Sequence, residues 1–233
     1  MKRPPKPNAA ATQDDATRIY RAIFESVMSQ RLAPGTKLRE AALCELFGVG
    51  RTVIRKVLQA LAHDHILELR PNRGAAVAAP TPEETRQIFA ARRALEAAIL
   101  PLAAANATRS DYAALKRQLR EENAALHAAD QPAWARLASA FHVRIAALSR
   151  NRILEQYLVE LISRCSLIVA VYEPPGNAAC EHDEHAQIVA LMERGDIASA
   201  VEANDAHLAD LEQRIDLGRA RKEVGLAQML GLA

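Results

Sequence analysis

Residues 37–74 read KLREAALCELFGVGRTVIRKVLQALAHDHILELRPNRG, and this stretch decides the fold. It divides into a short helix from Glu40 to Phe47, a turn at Gly48-Val49-Gly50, a second helix and a hairpin. The glycines of the turn are free to take positive φ, with Val49 as the apolar plug between the helices. In the second helix Ile54, Val57, Leu58 and Leu61 recur at the spacing of one buried face. Arg51, Arg55 and Gln59 stand four apart and form a separate stripe, with Thr52 and Lys56 beside it. No acidic residue occurs between Glu45 and Asp64. A surface helix with this pattern suits the major groove of duplex DNA. There, cationic side chains neutralise phosphates and a guanidinium can pair with the O6 and N7 of guanine.

The residues after that helix extend the pattern. Ile66-Leu67-Glu68-Leu69 reads as a strand, Arg70-Pro71-Asn72-Arg73-Gly74 has turn chemistry, and Ala75 to Ala78 returns as a second strand. Helix, turn, helix and basic hairpin describe a winged helix-turn-helix. Arg70, Asn72 and Arg73 are placed at the wing tip, where arginine can enter a narrow minor groove.

Three runs carry a family resemblance: Pro34 to Glu40, then Phe47-Gly48-Val49 with Arg51-Thr52 and Arg55, then Asn72-Arg73-Gly74-Ala75 with Val77. They resemble the amino-terminal domain of GntR-type transcription regulators. The resemblance implies a homodimer on a palindromic operator, with Arg51 and Arg55 against the DNA. The residues expected at that interface are Arg39, Arg51, Thr52, Arg55, Lys56, Gln59, Asn72, Arg73 and Gly74. Two departures stand out. Gly50 occupies the N-cap position where the family has Ser or Thr, and Lys56 stands where it has Glu. Glycine at an N-cap costs only a few tenths of a kcal/mol, roughly, and Lys56 makes the helix more basic.

Half of the 233 residues are apolar, a quarter are charged, 4% are aromatic and only nine are glycine, which favours a helical globular protein. A net charge of +2 is too small for a generally basic nucleic-acid coat, so the positive charge is local. The scarcity of aromatics argues against a single-strand binder that works by base stacking. Residues 1–14, with Lys2, Arg3, Lys6 and three prolines, read as a disordered tail without a secretory signal. No segment reads as a membrane span, and three widely spaced cysteines (Cys44, Cys165, Cys180) suit reduced thiols in the cytoplasm.

A helix capped by Asp14 or Asp15 runs to about Arg31 and packs Ile19, Ile23, Val27 and Met28 on the helix-turn-helix. The DNA-binding domain is therefore assigned to 15–79. Thr81-Pro82-Glu83-Glu84 is a capping box and starts a second domain at 80–218, followed by a C-terminal tail, 219–233. The second domain shows no strand pattern. Its helices are expected at about 82–106, 109–129, 132–149, 151–172, 178–194 and 196–217, joined by short loops into an antiparallel bundle of about six. The fold class is thus mainly α: a winged helix-turn-helix followed by an all-helical bundle.

Polar residues fall on apolar stripes of that bundle. Arg92 lies on the face of Ile88, Leu95, Ile99 and Leu102. Arg164 lies with Tyr157, Leu161 and Ile168. A guanidinium inside a bundle needs an anion, which is either a carboxylate ligand in a pocket or an internal acid, such as Glu96 for Arg92. His142, His185 and His207 project from three different helices, and neutral imidazoles there suit a divalent metal. Hydrogen-bonded interior histidines are the other reading.

Phe141-His142, Ser149-Arg150-Asn151, Glu184-His185, Gly195-Asp196 and Ala206-His207-Leu208 resemble the FCD domain, the all-helical ligand-binding domain of the FadR subfamily. The resemblance implies zinc or a similar ion held by three histidines, matching His142, His185 and His207, and by an Asp one turn before the first. That position is Ala138, so one ligand and one negative charge are missing. Asn204, Glu181, water or a carboxylate effector are the candidates to complete the shell. Arg92, Arg164 and Asn204 are expected at the effector. The reading is a dimeric repressor that binds double-stranded DNA and is switched by a small carboxylate metabolite. The alternative is a metal-dependent hydrolase with an accessory helix-turn-helix.

Overall fold

The computed structural model describes residues 9–28, 31–70, 74–172, 178–217 and 226–231. The chain divides into two compact units, one holding the residues before Pro80 together with those from Ala220 onward, the other Pro80–Arg219.

In the first unit, helix α1 (Ala9–Met28) buries Ile19, Ile23 and Val27 completely. It starts within the stretch expected as a tail, because alanines extend a helix without needing the Asp14 or Asp15 cap. The expectation for Met1 to Asn8 lies outside the described residues. Helix α2 (Glu40–Phe47) ends at Gly48 with φ +68°, the left-handed cap that releases the chain toward the next helix. Gly50, in contrast, is extended at φ −73° and is the N-cap of helix α3 (Arg51–His63), so only one glycine of the turn uses positive φ. The α3 core face is Ile54, Val57, Leu58 and Leu61, as the spacing requires.

Three strands complete this unit: β1 (Lys37–Leu38), β2 (Leu67–Arg70) and β3 (Gly74–Val77). The order is β1-β3-β2, all antiparallel, with Leu38 opposite Ala75 and Arg70 opposite Gly74. Strand β1 was not expected; two residues are too few to show a period. Gly74 has φ +81°, and a Cβ on it would lie 2.5 Å from the Leu38 carbonyl oxygen, so this corner of the wing admits only glycine.

The second unit is all-helical among its described residues. Its helices are α4 (Pro82–Asn106), α5 (Arg109–His127), α6 (Gln131–Leu148), α7 (Arg152–Tyr172), α8 (Ala178–Glu193) and α9 (Ile197–Gln213). The Thr81 hydroxyl accepts from the Glu84 amide at 3.2 Å, and the Glu84 carboxylate accepts from the Thr81 amide at 2.8 Å, so the expected capping box opens α4. Thr108 and Asp111 repeat the device at α5. The main core joins Ile99, Leu115, Phe141, Ile145, Leu158, Ile188 and Met192 from different helices. A short helix α10 (Leu226–Met229) falls within the expected C-terminal tail. No helix of the described residues is long and apolar enough to cross a membrane.

Candidate functional site

The basic face of the first unit is built from α2, α3 and the wing. Arg51, Thr52, Arg55, Lys56 and Gln59 are all exposed on α3, because the helix spends its apolar stripe on the opposite side. Arg39, exposed at the N-cap of α2, and Arg70 at the end of β2 complete the surface. Between helix and wing lies an open groove of about 890 Å³ lined by Lys37, Arg39, Arg51, Arg55 and Arg70, with Glu40 as its one acid. Gln59 and Gly74 also line it. Asn72 and Arg73 lie outside the described residues.

The absence of acids within α3 does not leave Arg55 without a counter-charge: its Nε donates to both carboxylate oxygens of Glu40 on α2, at 3.0 and 2.9 Å. That hydrogen bond, and then the charge of Glu40, raise the pKa of the guanidinium further. The Arg55 side chain remains 61% exposed, so the pair orients the group at the groove rather than hiding it. Lys37 was missed as a groove residue because the strand that places it was not recognised.

The second constellation lies inside the helical unit. His142 on α6, His185 on α8 and His207 on α9 are 4%, 1% and 2% exposed, and their candidate ligand atoms lie within 4.8 Å of one another. Each ring is held through Nδ1 by a carboxylate. Glu96 of α4 takes His142 at 2.9 Å, Glu122 of α5 takes His185 at 3.1 Å, and Glu184 of α8 takes His207 at 2.6 Å. With Nδ1 donating outward, the lone pair of each imidazole is on Nε2. Nε2 of His185 is buried without a partner, and so is Oδ1 of Asn204, one helical turn before His207. Phe141 stacks on His185 with ring centroids 4.2 Å apart and fixes its plane.

Burial favours the neutral form of His142 and of His207. It holds His142 down at about 4, against the opposing pull of Glu96. It also depresses His207 well below the usual imidazole range, with His185 and His142 adding to the effect. Burial pushes Glu96 up, but His142 and Arg92 outweigh it and bring that carboxyl to about 2. Three clustered imidazoles, each held at Nδ1 by a carboxylate so that Nε2 is left to bind, are a donor set that fits a divalent cation. Ala138, one turn before His142, presents a methyl group packed with Trp134, so that position contributes no charge.

The arginines separate. Arg92 is buried and its Nε donates to Glu96 Oε1 at 2.7 Å, so its anion is internal and it supports His142 through Glu96. Arg164 does not face the interior. It is 40% exposed and pairs with Glu160 at 3.0 Å. The buried side of α7 is Leu158, Ile162, Cys165 and Ile168, so of the expected stripe Ile168 is buried as read, whereas Tyr157 is exposed. The side chain of Glu181 lies outside the described residues.

Sequence reasoning missed Glu122 and Glu184 as histidine partners. Glu122 shares the buried stripe of Tyr112, Leu115 and Leu119, and a carboxylate at that spacing was the available signal.

The profile of the FCD domain matches residues 87–210, and that of the gntR family of bacterial regulatory proteins matches residues 15–77. The uncharacterized HTH-type transcriptional regulator YdhC of Bacillus subtilis is 25% identical over 155 residues, 65% of this chain and 69% of that one. The HTH-type transcriptional repressor RspR of Escherichia coli is 30% identical over 115 residues, 49% of this chain and half the length of that protein. Among solved structures, a Rhodococcus sp. RHA1 chain assigned to the GntR regulators superposes with a TM-score of 0.71 at 21% identity, covering 89% of this chain and all of that one.

Proposed function

The chain belongs to the FCD-domain family, as a GntR-type transcription regulator, and we propose that it is a dimeric repressor switched by a small carboxylate metabolite. The matched families are of regulators, and the hydrolase reading draws no support from them.

In this reading α3 enters the major groove of a palindromic operator. Arg51 and Arg55 meet base edges, while Thr52, Lys56, Gln59, Arg39, Lys37 and Arg70 meet phosphates and sugars. Asn72, Arg73 and Gly74 belong to the wing contact. The supporting observation is the groove with five cations and one acid, whose acid is used to aim Arg55. A protein of this kind works where the chromosome is, in the bacterial cytoplasm.

The sensor is the histidine cluster. His142, His185 and His207 would hold a divalent ion through Nε2, and Glu96, Glu122 and Glu184 keep the rings in the tautomer that allows it. The ion would supply Lewis acidity toward an oxygen ligand. Asn204, buried with an unpartnered Oδ1, is positioned to complete the shell or to orient the effector. Ala138 leaves the donor set without a carboxylate, which favours an anionic effector. The effector acts by binding one arrangement of the two DNA-binding units better than the other.

Selection of bound duplexes from random DNA tests the function. Recovery of a two-fold repeat whose affinity falls steeply with salt is the expected result. Recovery of no common sequence would overturn the reading.

A further inference from the structure

Three of the four large apolar side chains exposed among the described residues of the helical unit lie in the first half of α7. Among the described residues, Ile153 (60% exposed), Tyr157 (61%) and Val159 (45%) lie within seven residues of α7. Leu102 on α4 is 41% exposed, and Asn106, one turn on, donates to the Ser149 carbonyl at 3.2 Å, so this end of α4 adjoins the start of α7. Large apolar side chains clustered on a surface mark an interaction face.

We propose that the first half of α7 is where a second copy of the chain binds, with two α7 helices antiparallel about a two-fold axis at Gln156. The argument is self-complementarity, which a two-fold contact requires. Residues 152–160 read RILEQYLVE. Reversed about Gln156, Arg152 meets Glu160 and Ile153 meets Val159, while Leu158 stays in the core. At 100° per residue, Arg152, Ile153, Gln156, Val159 and Glu160 share an arc of about 120° of the helix surface. Other registers fail. An axis at Glu155 sets two glutamates together, one at Leu158 sets Arg152 against Arg164, and one at Tyr157 leaves Arg152 and Glu160 facing apolar residues. A shallow depression of about 300 Å³ lined by Arg152, Glu155, Gln156 and Val159 gives the partner's side chains room. Glu160, already bonded to Arg164 at 3.0 Å, then lies between two guanidiniums. This face deepens the dimeric reading above and rests on it.

The test is sedimentation of the full chain. Arg152→Glu and Glu160→Arg each place like charges opposite one another twice per dimer, and each weakens self-association about tenfold or more. The double variant R152E/E160R, and an equimolar mixture of the two single variants, return to within about threefold of the unsubstituted chain. Both positions are exposed, and circular dichroism checks that the helices persist. Ile153→Asp, on the same arc, is an independent variant that also weakens the dimer. Single variants as tight as the unsubstituted chain, or a double variant as weak as the singles, would overturn this face while leaving a dimeric regulator. An unsubstituted chain that stays monomeric with and without duplex DNA would overturn the dimer itself.

Discussion

Replacing Gly74 with alanine perturbs the wing at a single corner. Its φ of +81° is a conformation that costs an L residue about 1–2 kcal/mol. The new methyl carbon would lie 2.5 Å from the Leu38 carbonyl oxygen, a backbone atom held in the β1-β3 ladder. Relieving such an overlap in packed structure costs a further ~1–3 kcal/mol. The sum, about 2–5 kcal/mol, is local to the three-stranded sheet and corresponds to a roughly 30-fold to several-thousandfold easier opening of that sheet. Hydrogen exchange reads this directly, as lost protection at Leu38, Ala76 and Arg70 with protection in α4–α9 unchanged. Gly48→Ala is the control. Its φ is +68°, but nothing lies within 4 Å of the added carbon, so only the first cost of about 1–2 kcal/mol applies, at the end of α2. Duplex affinity should fall with Gly74→Ala, since Arg70 loses its placement beside α3. Equal effects of the two substitutions, or intact protection in β1 and β3, would refute the reasoning.

Further outcomes are expected. Arg51→Ala lowers operator affinity by about 1–3 kcal/mol with loss of base discrimination, and Arg55→Ala acts in the same direction; titration against operator and scrambled duplexes checks this, and unchanged specific affinity excludes the role. His142→Ala removes bound metal, measured by elemental analysis after dialysis, while apo DNA binding stays; equal metal content in both proteins contradicts it. Ala138→Asp adds a carboxylate one turn from His142 and tightens metal binding about tenfold or more, and an unchanged affinity would mean the position does not reach the ion. Thr81→Ala removes the hydroxyl of the capping box and destabilises the start of α4 by about 1 kcal/mol, read as faster exchange of the Glu84 amide; undiminished protection there argues against the cap.

The parts legible in the sequence were those fixed by local chemistry. Thr81 and Glu84 announce the start of α4, and the spacing of Ile54, Val57, Leu58 and Leu61 fixes which side of α3 is exposed. The rest depended on partners distant in the chain. Stepping by four from Tyr157 through Leu161 picks a plausible stripe, but α7 buries the neighbouring one through Leu158, Ile162 and Cys165. The sequence contains both, and only packing against α4 and α6 chooses. Three histidines were visible as candidates, whereas the pairing of His185 with Glu122, 63 positions away, had no local signature. Strand β1 exists because β3 is there to receive it.

Helix α4 carries Glu96 in its middle and takes the chain over from the wing, with only residues 78–81 between Val77 and Pro82. Its 25 residues make a rod about 37 Å long, and Glu96 lies roughly 20 Å from its first turn. Were the rod to pivot at Glu96 by about 5°, its tip would swing by roughly 2 Å. A motion too slight to disturb the packing around the imidazoles would thus arrive, magnified, at the tether of the reading head.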